Sequence, residues 1–255
     1  MQPTSRLSRQ PVSGLSDLAS IRSETHSCGF DPSIFTREGE ITSLCFGPLH
    51  YEPNYRYPLF VWLHGPGEDE QSLVEIMPAM SLRNYVAVAP RGPLSKGGVL
   101  RSWSVSPDSS ERDTNSFLGI QQRICSAIDE AKRKYSVRPD RVFIGGFGCG
   151  GTTALRMAMA NPDLFSGVLS IDGPVPRGGR PLLQWNQMRH LAVFLAAGIN
   201  TPQYPVSQVC DDLRLLHAAG FGVTLRHYPW GHELRSAILQ DMDRWIMDMV
   251  ASSKA

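Results

Sequence analysis

The sequence predicts an α/β protein with a mainly parallel sheet and helices on both faces. Three observations carry this. Short, continuous apolar runs recur along the chain, as strands buried on both faces read. Between them lie segments whose apolar residues return every three or four positions, the helical period. The two patterns alternate from Tyr57 onward, as successive strand–helix–strand units do.

The elements follow in order. Residues 1–30 are rich in Ser, Arg, Thr and Pro and predict a disordered tail, leaving residues 31–255 as one domain. A first strand is expected near Ile41–Cys45. Pro58–Leu63 is an apolar run that stops at His64-Gly65-Pro66-Gly67 and predicts a buried strand. Asp69 and Glu70 then suit the positive dipole end of a helix. Tyr85–Pro90 is the next strand. Ile120, Ile124, Ile128, Ala131 and Tyr135 mark one face of a helix. Val142–Phe147 is a strand that runs into a glycine-rich turn, and Thr152–Ala160 is the helix after it. Ser166–Ile171 and Leu191–Ala196 are further strands. Val206–Ala219 is a helix ending at Gly220, where glycine suits a helix end. Val223–Tyr228 alternates, as a strand near the sheet edge does. Leu234–Met249 carries Leu234, Ile238, Met242, Trp245 and Met249 on one helical face.

Composition removes several functions. The 25 basic and 24 acidic residues leave a net charge of +1 and no cluster that calls for nucleic acid or an anionic membrane. No run of about 18 apolar residues exists to span a bilayer. The N-terminal residues have no apolar core of a signal peptide. The five cysteines (Cys28, Cys45, Cys125, Cys149 and Cys210) are odd in number and widely spaced, which fits reduced thiols and a cytoplasmic location. No His, Cys or acidic spacing suits a metal, and the turn Gly145–Gly151 lacks the Lys-Ser/Thr of a phosphate loop. No cofactor or metal is expected.

In a parallel sheet of this kind, ligands bind at the carboxyl ends of the strands. His64, Gly148, Gly198 and His232 all follow predicted strands and so converge on one rim. Here the chain resembles the α/β-hydrolase superfamily, in particular its phospholipase/carboxylesterase branch. The resemblance covers about residues 57 to 250. It rests on Leu63-His64-Gly65-x-Gly67 after a strand, Asp140-Arg141-Val142 before the turn, Gly146-Phe147-x-x-Gly150-Gly151 at the turn, and Gly231-His232 before the last helix.

The resemblance implies an α/β-hydrolase fold and ester hydrolysis. A serine on the strand-to-helix elbow attacks the carbonyl, a histidine takes its proton, and an acid orients the histidine. His232 is the retained histidine. The nucleophile position falls on Gly148, which has no side chain. A one-residue shift would make Cys149 the nucleophile, but it puts Phe147 where the tight turn needs a small residue. In the first register Cys149 offers its backbone N–H to the oxyanion hole. The acid position falls on neutral Thr201. Asp172, after the preceding strand, is either a turn residue or an alternative acid. In the oxyanion loop, Gly65 is followed by Pro66, which has no N–H to give, and Gly67 is the candidate substitute donor.

Three departures around a retained His232 predict a hydrolase framework without serine-triad chemistry. Two alternatives stand beside it: an active ester hydrolase built from Cys149, His232 and Asp172, and a non-catalytic binding or scaffolding protein. The implied partners are a small-molecule ester or a protein ligand. Arg101-Ser102-Trp103 and Trp185 are candidate pocket walls, and His64 a loop support.

Overall fold

A computed structural model describes residues 43–94, 101–104, 116–177 and 191–252. The expected tail and Trp185 lie outside these. The described elements are β1 (Ser43–Phe46), β2 (Tyr57–Leu63), α1 (Ser72–Met80), β3 (Val86–Pro90), α2 (Phe117–Lys134), β4 (Val137–Phe147), α3 (Cys149–Ala160), β5 (Gly167–Ile171), β6 (Ala192–Gly198), α4 (Val206–Ala218), β7 (Gly222–Tyr228) and α5 (Ser236–Ser252).

The strands form one seven-stranded sheet in the order β1-β3-β2-β4-β5-β6-β7. Only β1 runs antiparallel, pairing with β3 along Ser43↔Pro90 to Phe46↔Ala87. The remaining pairs are parallel. This is the expected α/β-hydrolase arrangement. Parallel strands need crossovers, and each crossover covers a face, so strands such as β2, β3 and β5 are buried on both faces while the edge strand β7 is largely exposed or half-buried.

Alternation along each strand sends side chains to two cores. Val61, Val88, Ile144, Val168 and Leu195 meet Ile120, Ile124 and Ile128 of α2, Leu155 of α3 and Leu216 of α4. Phe60, Trp62, Phe143, Leu169 and Phe194 meet Leu73 and Met77 of α1 and Ile238, Met242 and Ile246 of α5. Each such side chain removed from water contributes about 1.5–3 kcal/mol before chain entropy is counted. No helix among the described residues is long and apolar enough to cross a membrane.

Several details depart from the expectations, and α3 begins at Cys149 rather than Thr152. β4 begins five residues earlier than its apolar run, at Val137, because Val137 pairs with Tyr57 across a register shift. Arg138, Pro139 and Asp140 hid that start. Helix α5 begins at Ser236 rather than Leu234. Glu70 does not serve the dipole of α1. It is fully buried and ion-paired with Arg91, just past β3. Asp69 takes the expected place, accepting the Gln71 N–H at 2.9 Å.

The parallel register lines up the strand ends. Leu63 pairs with Gly146, Phe147 with Ile171, Ile171 with Ala196 and Gly198 with Tyr228. The loops after β2, β4, β5, β6 and β7 therefore share one rim.

Candidate active-site rim

The turn between β4 and α3 is built by backbone. Gly148 has φ 55° and ψ −118°, a left-handed conformation costly for residues with a Cβ. Its N–H is held by the Ile171 carbonyl at 2.8 Å. A Cβ on Gly150 would overlap the carbonyl oxygens of Leu63 and His64, because the first turn of α3 lies directly on the end of β2. The positive φ falls on Gly148, and Cys149 is already the first residue of the helix. The sharp residue of the elbow is thus Gly148, as in the first register.

A side chain on Gly148 would stand close against His232. A Cβ on Gly148 would lie 3.3 Å from His232 Nε2 and Cε1 and 3.3 Å from Pro66 Cδ. These are tight contacts, but the position faces the imidazole directly.

His232 follows β7. Its Nδ1 lies 3.2 Å from Asp172 Oδ2. The pair is within ion-pair distance, but the ring nitrogen is not well aligned for a hydrogen bond. The Phe147 ring stacks on the imidazole, with centroids 4.3 Å apart and planes 23° from parallel. Asp172 is buried and has φ 48°, a turn conformation that Asp tolerates better than most residues. Its other oxygen, Oδ1, accepts the Gly198 N–H at 2.8 Å. Asp172 is both a turn residue and the carboxylate beside the histidine. Thr201 is buried after β6, and its hydroxyl faces Gln203 Oε1 at 3.1 Å.

The loop after β2, the candidate oxyanion loop, has few free N–H groups at residues 65–67. Pro66 has no N–H. The Gly67 N–H, the candidate substitute, donates to the Arg101 carbonyl at 3.1 Å. The Gly65 N–H donates to Glu68 Oε2 at 2.9 Å. The Cys149 N–H remains, one of the unsatisfied donors at the start of α3. Its thiol is partly exposed and lies 3.7 Å from the Ser102 hydroxyl.

His64 is buried under this loop. The Gly92 N–H donates to its Nε2 at 3.2 Å, so Nδ1 carries the proton and donates to the Gly65 carbonyl at 2.9 Å. Burial lowers its pKa below the ordinary 6.5, only partly offset by the Gly65 hydrogen bond. A neutral His64 props the loop. Arg101 Nη1 donates to the Gly92 carbonyl at 2.7 Å, and Trp103 packs against His64 with centroids 5.1 Å apart.

Above the elbow lies a cleft of about 570 Å³, lined by residues that include Pro66, Trp103, Gly148, Cys149, Pro174 and His232. That size suits a small organic ligand. Two of its supports escaped the sequence. Asp212 of α4 is fully buried, accepts the Val175 N–H at 2.7 Å and the Tyr204 hydroxyl at 3.0 Å, and pairs with Arg177. It fixes the segment after Asp172. Its one sequence signal is an acid among the apolar positions Val209 and Leu216 of one helical face. Arg156 also lines the cleft, seven residues after Cys149 on the same side of α3. Among the described residues, no three His, Cys, Asp or Glu side chains gather as a metal site would require.

Several known proteins that resemble this chain carry carboxylesterase names. The Arabidopsis thaliana protein called probable carboxylesterase SOBER1-like is 24% identical over 210 residues, covering 76% of this chain and 80% of that one. The crystal structure of Arabidopsis thaliana SOBER1 superposes with a TM-score of 0.63 at 22% identity, covering 77% of this chain and all of that one. The Bacillus cereus carboxylesterase superposes with a TM-score of 0.65 at 18% identity, over 92% of this chain and all of that one. Residues 54–250 match the phospholipase/carboxylesterase family, and the chain belongs to it.

Proposed function

We propose that this chain is a phospholipase/carboxylesterase-family protein without serine-triad catalysis, whose open cleft binds a small ester or acyl ligand. One observation carries the reading. The residue with elbow geometry, Gly148, has no side chain, while His232, Asp172 and the cleft in front of them are in place. A base with no nucleophile to deprotonate cannot form an acyl-enzyme. The depleted oxyanion loop points the same way, since losing one such donor typically costs about 10²–10³ in rate.

The cysteine-hydrolase alternative has less support. Cys149 belongs to the helix rather than the sharp turn, and its thiol engages Ser102. A purely scaffolding role has less support too, because the cleft is open rather than filled by the protein's own side chains. The odd number and wide spacing of the cysteines fit a reducing compartment such as the cytosol.

The test is a fluorophosphonate probe together with p-nitrophenyl ester turnover. Neither labelling nor turnover above background is expected. Labelling lost in His232→Ala would overturn the reading in favour of another serine. Turnover lost in both Cys149→Ala and His232→Ala would establish the cysteine alternative.

A further inference from the structure

We propose that the cleft takes an ester or acyl ligand bearing a second, anionic carboxylate, and that Arg156 receives that carboxylate. This rests on the cleft being a ligand site.

The cleft-facing side of α3 presents Cys149, Thr152, Thr153 and Arg156, which recur with helical spacing. The two threonine hydroxyls are already used. Thr152 Oγ1 donates to the Pro174 carbonyl at 2.9 Å, and Thr153 Oγ1 to the Trp103 carbonyl at 3.3 Å. Asp172 is engaged by Gly198 and His232. Arg156 differs. Its guanidinium lies over the Phe117 ring, 5.9 Å from the centroid, and no carboxylate pairs with it among the described residues. The side chain is half-buried, so its charge is only partly screened by water.

Stacking on an aromatic ring leaves the edges of a guanidinium free, and those edges match a carboxylate in two-point fashion. Among the described lining residues, Arg156 is the charge without an opposite. Arginine cannot give up its proton to relieve that. A second polar group beside the cleft also lacks a partner. Trp103 is 1% exposed, lines the cleft, and its indole N–H has no hydrogen-bond partner.

The spacing sets the ligand's shape. Cys149 and Arg156 are seven residues apart on α3, about 10 Å along the axis. Pro66, Trp103 and Pro174 supply an apolar wall. A carbonyl at the Cys149 N–H, an apolar middle and a terminal carboxylate at Arg156 fit these three features together. A half-ester of a medium-chain dicarboxylic acid has all three.

The experiment titrates the full chain with monomethyl adipate and dimethyl adipate by calorimetry. The half-ester should bind at least tenfold more tightly than the diester. Arg156→Gln should abolish that preference, and Arg156→Lys should keep part of it, with thermal melts confirming that both variants fold. Salt should weaken binding of the half-ester alone. Equal binding of both esters to the unaltered chain, or an unchanged preference in Arg156→Gln, overturns the assignment of Arg156 but leaves the cleft as a ligand site. Binding of neither ester overturns both readings. Fluorophosphonate labelling overturns the non-catalytic reading alone, since the charge preference is read from binding.

Discussion

The elbow after β4 and the histidine loop after β7 face each other across the rim, and they are built differently. At the elbow, the backbone makes its sharp turn at Gly148, which carries no side chain. Across from it, His232 has its ring stacked on Phe147 and a carboxylate beside it. The elbow's shape is held by contacts that do not involve the nucleophile, chiefly the close approach of α3 to β2 and the Gly148–Ile171 hydrogen bond. The histidine is likewise held by groups other than its reaction partner. The shape of this rim is therefore held by contacts that need no side chain on Gly148.

The strongest way to break this picture is to fill the close approach. Gly150→Ala drives a methyl into the carbonyl oxygens of Leu63 and His64, where only backbone could yield. It should cost more than about 3 kcal/mol or prevent folding, as overpacking does at its worst. Urea unfolding measures this, and a loss under about 1 kcal/mol would mean the elbow is looser than described. Gly148→Ser sharpens the comparison from the other side. Its positive φ should cost about 1–3 kcal/mol, yet the chain should fold. Because Asp172 already stands beside His232, this single change should yield fluorophosphonate labelling that His232→Ala removes. If labelling appears only when Thr201→Asp is added, Asp172 is not an adequate acid.

The pH dependence of stability probes the loop support. His64 has a folded pKa below its unfolded value, so the unfolded chain takes up the proton first. Its contribution is complete above the unfolded pKa of about 6.5 and is lost as pH falls below it. The slope should reach at most about 1.4 kcal/mol per pH unit. His64→Gln should flatten it in urea titrations between about pH 5 and 7. The smallest effect is expected for Asp172→Asn. Asparagine tolerates the positive φ and can still accept the Gly198 N–H, so the stability loss should stay near 1 kcal/mol. In the Gly148→Ser background the same change should erase the acquired labelling.

The sheet was legible because buried parallel strands write themselves as apolar runs, and Pro58–Leu63, Val142–Phe147 and Leu191–Ala196 are such runs. The early start of β4 was hidden because Arg138, Pro139 and Asp140 are exposed or half-exposed there and carry no burial signal. At the rim, motif order located Gly148 and His232. The neighbour of His232 could not be read in advance. Which of Asp172 and Thr201 approaches it depends on loop paths after β5 and β6, and spacing does not encode those. Nor could spacing reveal that the Gly67 N–H is spent on Arg101, or that Glu70 leaves its helix end to pair with Arg91.

The stack of Phe147 on His232 has a practical side. An imidazole clamped by a ring needs no hydroxyl beside it to keep its place. The same clamp narrows the room in front of Gly148, where a Cβ would already meet His232 and Pro66 at 3.3 Å. Any side chain added there must therefore be small, and the ring behind the imidazole decides how far it can give way.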